Sequence, residues 1–411
     1  MRVLFTPYPW ASHYYQMVGL VWAFRATGHE VRIAVPPSLT GAVTGSGAIA
    51  VPVGGSYDLN AGITDLVRAR HELDRPDNRN ERGELRPEVR RTLLGLRMVP
   101  HTRAAEDIAG DLVAFARAWR PDLVIYDPLV YGAPLAAAAA RAPVVRHLWG
   151  PDMTRNIVMP GCGVSAQDDP RAAWPEDLAA LYERYGAKPQ ADVAARTLDN
   201  CPESLQLPGV PNRLPMRFTA YNGSAVAPAW LSEPPARPRV CVTWGSAATA
   251  LLGDGTFLVP RILDALSGLD VEIVVAVKEA DAARIPDLPA RTRIVTGMPL
   301  ELIMPSCDAI IHQSGSGTTL TAALHGIPQL TLPQVADQSL VSERLARTGA
   351  GIGLASDETE PHAIKAAAQR LLVDGEHRMA ALRLREEMLA QPTPSETVPT
   401  LADLVATHQP H

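Results

Sequence analysis

Short unbroken apolar runs alternate with amphipathic stretches from residue 2 onward. Arg2 to Phe5 reads as a first strand. Ser12 offers an N-cap for a helix beginning at His13 or Tyr14. Met17, Leu20, Val21 and Phe24 recur there at helical spacing, and Gly28 closes the helix. Val31 to Val35 reads as a strand buried on both faces, as parallel strands are. A doubly wound sheet therefore begins at the N-terminus. A third strand is expected at Ile49 to Val53, a helix over 102–118, and strands at Leu123 to Tyr126 and Val144 to His147. Residues 57–100, with charges crowded from Asp74 to Glu88, read as a solvated loop, with a lid over a cleft as the alternative. Short helices are expected at Glu176 to Tyr185 and Gln190 to Arg196, and last strands at Leu205 to Pro208 and Met216 to Tyr221.

Asn222 to Pro238 is rich in proline and poor in large apolar residues, as a linker would be. The same alternation then restarts. Strands are expected at Arg239 to Thr243, Val271 to Ala276, Arg293 to Thr296, Ala309 to Ile311 and Gln329 to Leu332. Helices follow between them, at Ser339 to Arg347, and over 361–373 and 375–390. The pattern predicts an α/β chain of two Rossmann-like units: 1–221, a linker at 222–238, and 239–390. Residues 391–411 end in an amphipathic helix expected to pack back on the first unit.

A length of 411 residues suits two domains. Hydrophobic residues make up 46% and charged residues 20%, enough for two ordinary cores. The net charge of −6, with no Lys/Arg stripe, argues against nucleic acid as a partner. No apolar run approaches the length of a membrane span, and the first residues lack a signal peptide's apolar region. A cytoplasmic location is expected. Cys162, Cys201, Cys241 and Cys307 share no CxxC spacing, and Cys241 reads as a buried thiol.

The densest chemistry lies in Asp308 to Pro328. A strand ends at His312, a turn holds Gly315, Ser316, Gly317 and Thr318, and a helical run follows from Thr319. Strand, small-residue turn and helix start aim backbone N–H groups at one point, where the helix adds positive potential. The spacing predicts a phosphate or diphosphate cradle, with His312 facing the same crevice. Other candidate residues expected at the carboxyl ends of strands are His13, Asp127, Ser246, Met298 and the turn from Pro333 to Gln338.

These segments resemble the nucleotide-sugar-dependent family-one glycosyltransferases of GT-B fold. The likeness is strongest to actinobacterial enzymes that attach deoxysugars to polyketide antibiotics. It rests on RVLFTPYPWASHYYQMVGLVWAFRATGHEV near the start, on HQSGSGTT, and on LPQVADQ followed by GAGIGL. The resemblance implies that His13 is the general base for the acceptor hydroxyl and that Asp127 orients it. It implies diphosphate contacts from His312 and from Gly315, Ser316, Gly317 and Thr318, with Ser246 helping. Asp337 and Gln338 would hold sugar hydroxyls, and the Met298 backbone the pyrimidine. Trp149 reads as core or cleft wall, with the lining of an acceptor pocket as the alternative, and Tyr14 is a further acceptor-binding candidate. The implied donor is a dTDP-sugar and the implied acceptor a hydrophobic polyketide-type aglycone.

The chemistry suits these residue types. A neutral imidazole works as a base near neutral pH, tuned by a carboxylate. A backbone cradle stabilises a departing diphosphate without an obligatory metal, although a divalent ion stays open. The Asp168–Asp169 pair reads as surface rather than as a metal site. C-glycosylation of an aromatic carbon is the alternative reaction, and a sugar-nucleotide epimerase or a non-catalytic binding protein the alternative class. A homodimer and an auxiliary activator protein stay open as partners.

Overall fold

The computed structural model describes residues 1–80, 83–245, 253–285, 288–373 and 375–408. Among them, thirteen parallel strands form two sheets. The first holds β1 (Arg2–Thr6), β2 (Glu30–Val35), β3 (Ala50–Pro52), β4 (Leu123–Tyr126), β5 (Val144–His147), β6 (Arg196–Asp199) and β7 (Arg213–Pro215), in the order β3-β2-β1-β4-β5-β6-β7. The second holds β8 (Arg239–Thr243), β9 (Glu272–Val277), β10 (Thr292–Thr296), β11 (Ala309–His312), β12 (Gln329–Thr331) and β13 (Gly351–Gly353), in the order β10-β9-β8-β11-β12-β13. In each sheet the order reverses beside the first strand, β1 or β8. Ligands of open α/β sheets bind at such a switch point, outside the carboxyl ends of the strands. His13 and Asp127 follow β1 and β4 at the first switch; the turn after His312 follows β11 at the second.

Both faces of each sheet are covered. Phe5, Ile33 and Ile125 pack under the Ala11–Ala26 helix, while Leu4, Val124 and Tyr126 pack under Leu112 of the Val99–Trp119 helix. The Pro394–Thr407 helix adds Val398 and Leu401 to the first of these clusters. The two domains share a further apolar seam, with Cys201, Leu205 and Phe218 on one side and Leu320, Ala323 and Leu345 on the other. Arg344 fastens this seam by donating to the carbonyls of Ser204, Leu205 and Gln206.

Several expectations are corrected. Residues 57–100 are not one continuous loop: they hold the Leu59–Leu73 and Pro87–Leu96 helices. The charges crowded from Asp74 to Arg86 lie in the connection between these helices, around a short turn at Pro76–Asn78, while Leu59 and Ile63 of the first helix meet the core. Gln190 to Arg196 is no helix, Leu205 to Pro208 and Met216 to Tyr221 are no strands, and the last strands of this sheet are β6 and β7. β6 reads RTLD, a polar pattern made extended by pairing of Arg196, Thr197 and Leu198 with β5. Its buried Asp199 is compensated by Arg213, whose Nε donates at 2.6 Å. The first helix begins at Ala11, capped by the Trp10 backbone, so Ser12 lies inside its first turn. All four cysteines are free and buried. Among the described residues no helix is long and apolar enough to cross a membrane.

Candidate active site

His13 Nδ1 donates to Asp127 Oδ2 at 2.7 Å. Asp127 is 1% exposed, and its other oxygen accepts from the Leu129 N–H at 3.0 Å. A carboxylate held from both sides fixes the imidazole tautomer and leaves the Nε2 lone pair free. Aromatic rings wall the imidazole: Trp149 with centroids 4.5 Å apart, Tyr8 at 5.1 Å and Trp10 at 5.7 Å. Trp149 therefore lies beside His13. Tyr14 does not. One residue along the helix turns it about 100°, into the core, where it is fully buried and its hydroxyl meets Ser46. The expected acceptor contact at Tyr14 is corrected.

Two residues with no sequence signal join this centre. His101, on the Val99–Trp119 helix, lies 6.1 Å from Tyr8 by ring centroids. His147 ends β5. Burial pushes both down to about 4, against the opposing pull of the Asp127 charge. Both are neutral at neutral pH, so neither cancels the Asp127 charge. Burial, and then Asp127, raises the Tyr8 hydroxyl, keeping it protonated.

Beside this pair opens a mostly apolar cavity bordered by Tyr8, Tyr57, Leu59, Ile108, Leu129 and Tyr131. Its wall comes from the start of the Leu59–Leu73 helix, from the Val99–Trp119 helix and from the segments that follow β1 and β4. The buried Thr6 hydroxyl on its lining has no partner among the described residues.

Across the cleft, the helix after β11 runs Ser316–Leu324, so Ser316, Gly317 and Thr318 form its first turn. Gly315 is its N-cap and no side chain caps it. Its leading N–H groups are therefore open to a ligand. Gly315, Ser316, Gly317 and Thr318 are half-buried. The buried Ser314 and Thr319 hydroxyls and Gln313 Oε1 have no partner among the described residues. Ser314 adopts φ 69°, a left-handed conformation that costs about 1–2 kcal/mol in a non-glycine residue.

His312 differs from expectation. It is fully buried, and neither ring nitrogen is free. The Ser314 N–H donates to Nδ1 at 3.1 Å, and Nε2–H donates to Gln329 Oε1 at 3.0 Å. Gln329 Nε2 in turn donates to the Thr319 carbonyl at 3.1 Å. Burial lowers His312 to about 4, so it is neutral. The ring braces the turn from behind instead of facing the crevice.

Asp337 and Gln338 fall in the first turn of the Ala336–Thr348 helix, which starts three residues before the expected Ser339. Asp337 opens to solvent at the cleft mouth, with protein on its other sides. Burial raises its carboxyl; its own N–H and that of Gln338 lower it, and His13 across the cleft pulls the same way. Gln338 is buried, and its Oε1 accepts from the Gln334 N–H at 2.8 Å. Met298 is half-buried after β10. Ser246 lies outside the described residues.

The domains touch at the cradle. A methyl on Gly150 would come within 2.5 Å of Ser316 Oγ, and one on Gly317 within 2.9 Å of Gln16 Nε2. The glycines let the walls approach this closely.

Two facing Rossmann-like domains with an anion-ready helix start on one side and a His–Asp pair on the other define a GT-B glycosyltransferase. The structure superposes on glycosyltransferase VinC in complex with dTDP at TM-score 0.80 and 34% identity, covering 99% of this chain and 100% of that one. It matches the spinosyn rhamnosyltransferase SpnG complexed with spinosyn aglycone at TM-score 0.77 and 31% identity, covering 98% and 100%. The chain belongs to the family described as erythromycin biosynthesis protein CIII-like: the N-terminal domain model matches residues 22–245 and the C-terminal one 260–404. It is 38% identical to the 10-deoxymethynolide desosaminyltransferase of Streptomyces venezuelae, over 100% of this chain and 98% of that protein. It is 36% identical to the tylactone mycaminosyltransferase of Streptomyces fradiae, over 100% and 93%.

Proposed function

We propose that this enzyme transfers a deoxysugar, with inversion, from dTDP to a hydroxyl of a hydrophobic polyketide-type aglycone. The observation that carries this reading is the His13–Asp127 pair at 2.7 Å, beside an apolar cavity and opposite an uncapped helix start. The aglycone occupies the cavity next to Tyr8. Its hydroxyl gives its proton to His13 Nε2 as its oxygen bonds to the anomeric carbon. The bond from that carbon to the diphosphate breaks, and the diphosphate leaves with the electron pair. Asp127 stabilises the imidazolium formed. The N–H groups and hydroxyls of Ser316, Gly317 and Thr318 meet the charge on the departing diphosphate, and Asp337 holds the sugar. No obligatory metal enters this reading.

The names of the relatives support the substrate classes: one acts on 10-deoxymethynolide, one on tylactone, and a third is a TDP-daunosamine transferase. The test is His13→Ala, with transfer and TDP binding measured separately. Transfer falls about 10²–10⁴-fold, the usual worth of a general base, while TDP affinity stays within about twofold. Transfer at the wild-type rate would refute the assignment.

A further inference from the structure

Gln16 stands three residues after His13 on the Ala11–Ala26 helix, so helical periodicity turns both side chains to the cleft. It is only 6% exposed. Asn200, at the carboxyl end of β6, is fully buried and donates from Nδ2 to Gln16 Oε1 at 2.9 Å. That bond fixes the direction of the Gln16 amide. Its Nε2 is turned onto Gly317, where an added methyl would stand 2.9 Å away. Among the described residues, Nε2 donates to no acceptor.

The opposite wall is the uncapped start of the Ser316–Leu324 helix. Its leading N–H groups have no acceptor within the helix. Donors thus face donors across a narrow gap. Such an arrangement is satisfied by an acceptor oxygen between them, best a charged one.

We propose that Gln16 is a ligand of the donor diphosphate supplied by the acceptor-side domain, and that Asn200 is the residue that aims it. This rests on the helix start being the diphosphate cradle. Gly317 then has a second role besides backbone approach: any side chain there would push the Gln16 amide out of the gap. The bound diphosphate also ties the helix that carries His13 to the C-terminal domain. The base is set against the anomeric carbon only when a donor is in place.

The experiment titrates TDP and thymidine separately into wild type, Gln16→Leu, Gln16→Glu and Asn200→Ala, with melting temperature as the folding control. Wild type binds TDP. Gln16→Leu binds it about tenfold more weakly, the worth of a hydrogen bond to a charged group. Gln16→Glu keeps size and shape but sets a carboxylate against the diphosphate, and TDP binds about 100-fold more weakly, or not at all. Asn200→Ala falls between wild type and Gln16→Leu. Thymidine affinity is the same in all four, which a merely structural defect would not spare. If Gln16→Leu fails to fold, Gln16→Glu carries the test. Unchanged TDP affinity in Gln16→Glu with a raised melting temperature overturns the proposal, because Gln16 then only caps the helix. Failure of wild type to bind TDP overturns the cradle reading itself, and this proposal with it.

Discussion

Three histidines in this protein are neutral for one reason, burial, and they stand in two different settings. His312 braces a turn through both nitrogens, whereas His101 and His147 stand near Asp127 without hydrogen-bond partners for His101 Nδ1 or either His147 nitrogen among the described residues. All three are lowered to about 4. An unfolded histidine titrates near 6.5. Between about pH 6.5 and 4 the unfolded chain binds protons that the folded chain does not, so stability falls as pH falls through that window. Above it the contribution is fully present. Buried Asp199 and cleft-lining Asp337 have raised carboxyls and oppose the trend at the acid end. Melting temperature is expected to decline from pH 7 to pH 5. Replacing His147 with Gln, which cannot protonate, is expected to flatten the decline. An unchanged slope would show that His147 titrates normally.

At the scale of elements, the cradle is a strand, a turn and a helix locked by one side-chain relay. The Ser314 N–H reaches His312, His312 reaches Gln329 on β12, and Gln329 reaches the Thr319 carbonyl. Gln329→Leu conserves volume but leaves His312 Nε2 and the Thr319 carbonyl unpaired in a dry interior. We expect a loss of about 1–3 kcal/mol in denaturant unfolding, the cost of stranding such groups. TDP binding should weaken with it, because the helix start then moves relative to β11. A variant as stable as wild type would show the relay to be dispensable. Much of this element was legible in sequence: strand, small-residue turn, helix. Its boundary was not. The helix starts at Ser316 because the Gly315 carbonyl already accepts from the Thr319 N–H, and no propensity distinguishes that from a start at Thr319. The facing direction of His312 was equally unreadable, since it depends on Gln329, seventeen residues on.

Across the whole molecule, the C-terminal Pro394–Thr407 helix leaves the second domain and closes the core of the first. Leu401 is fully buried in the cluster that holds Met17 and Leu20 from the helix of His13. Leu401→Ala is expected to destabilise the first domain by about 2–5 kcal/mol, by lost burial and the cavity left. Fluorescence-monitored denaturation would measure it, and a change under 1 kcal/mol would show the docking to be loose. Because the same cluster supports the His13 helix, transfer should decline in parallel.

The sequence by itself determined the class of fold and the repeat of two parallel sheets, and it marked candidate residues at the ends of strands in both, because apolar period and strand-to-helix turns are local properties. It also carried the resemblance that brought His13 and Asp127 together, 114 positions apart. Only the tertiary structure decided which side chains share a face and which lack partners. It buried Tyr14, turned His312 inward, set two helices on either side of the charged connection from Asp74 to Arg86, and stretched RTLD into a strand. It set Gln16 and Asn200 against Gly317. Those outcomes depend on what packs opposite each residue, and hydrogen bonds and burial across a cleft are settled only when both walls are in place.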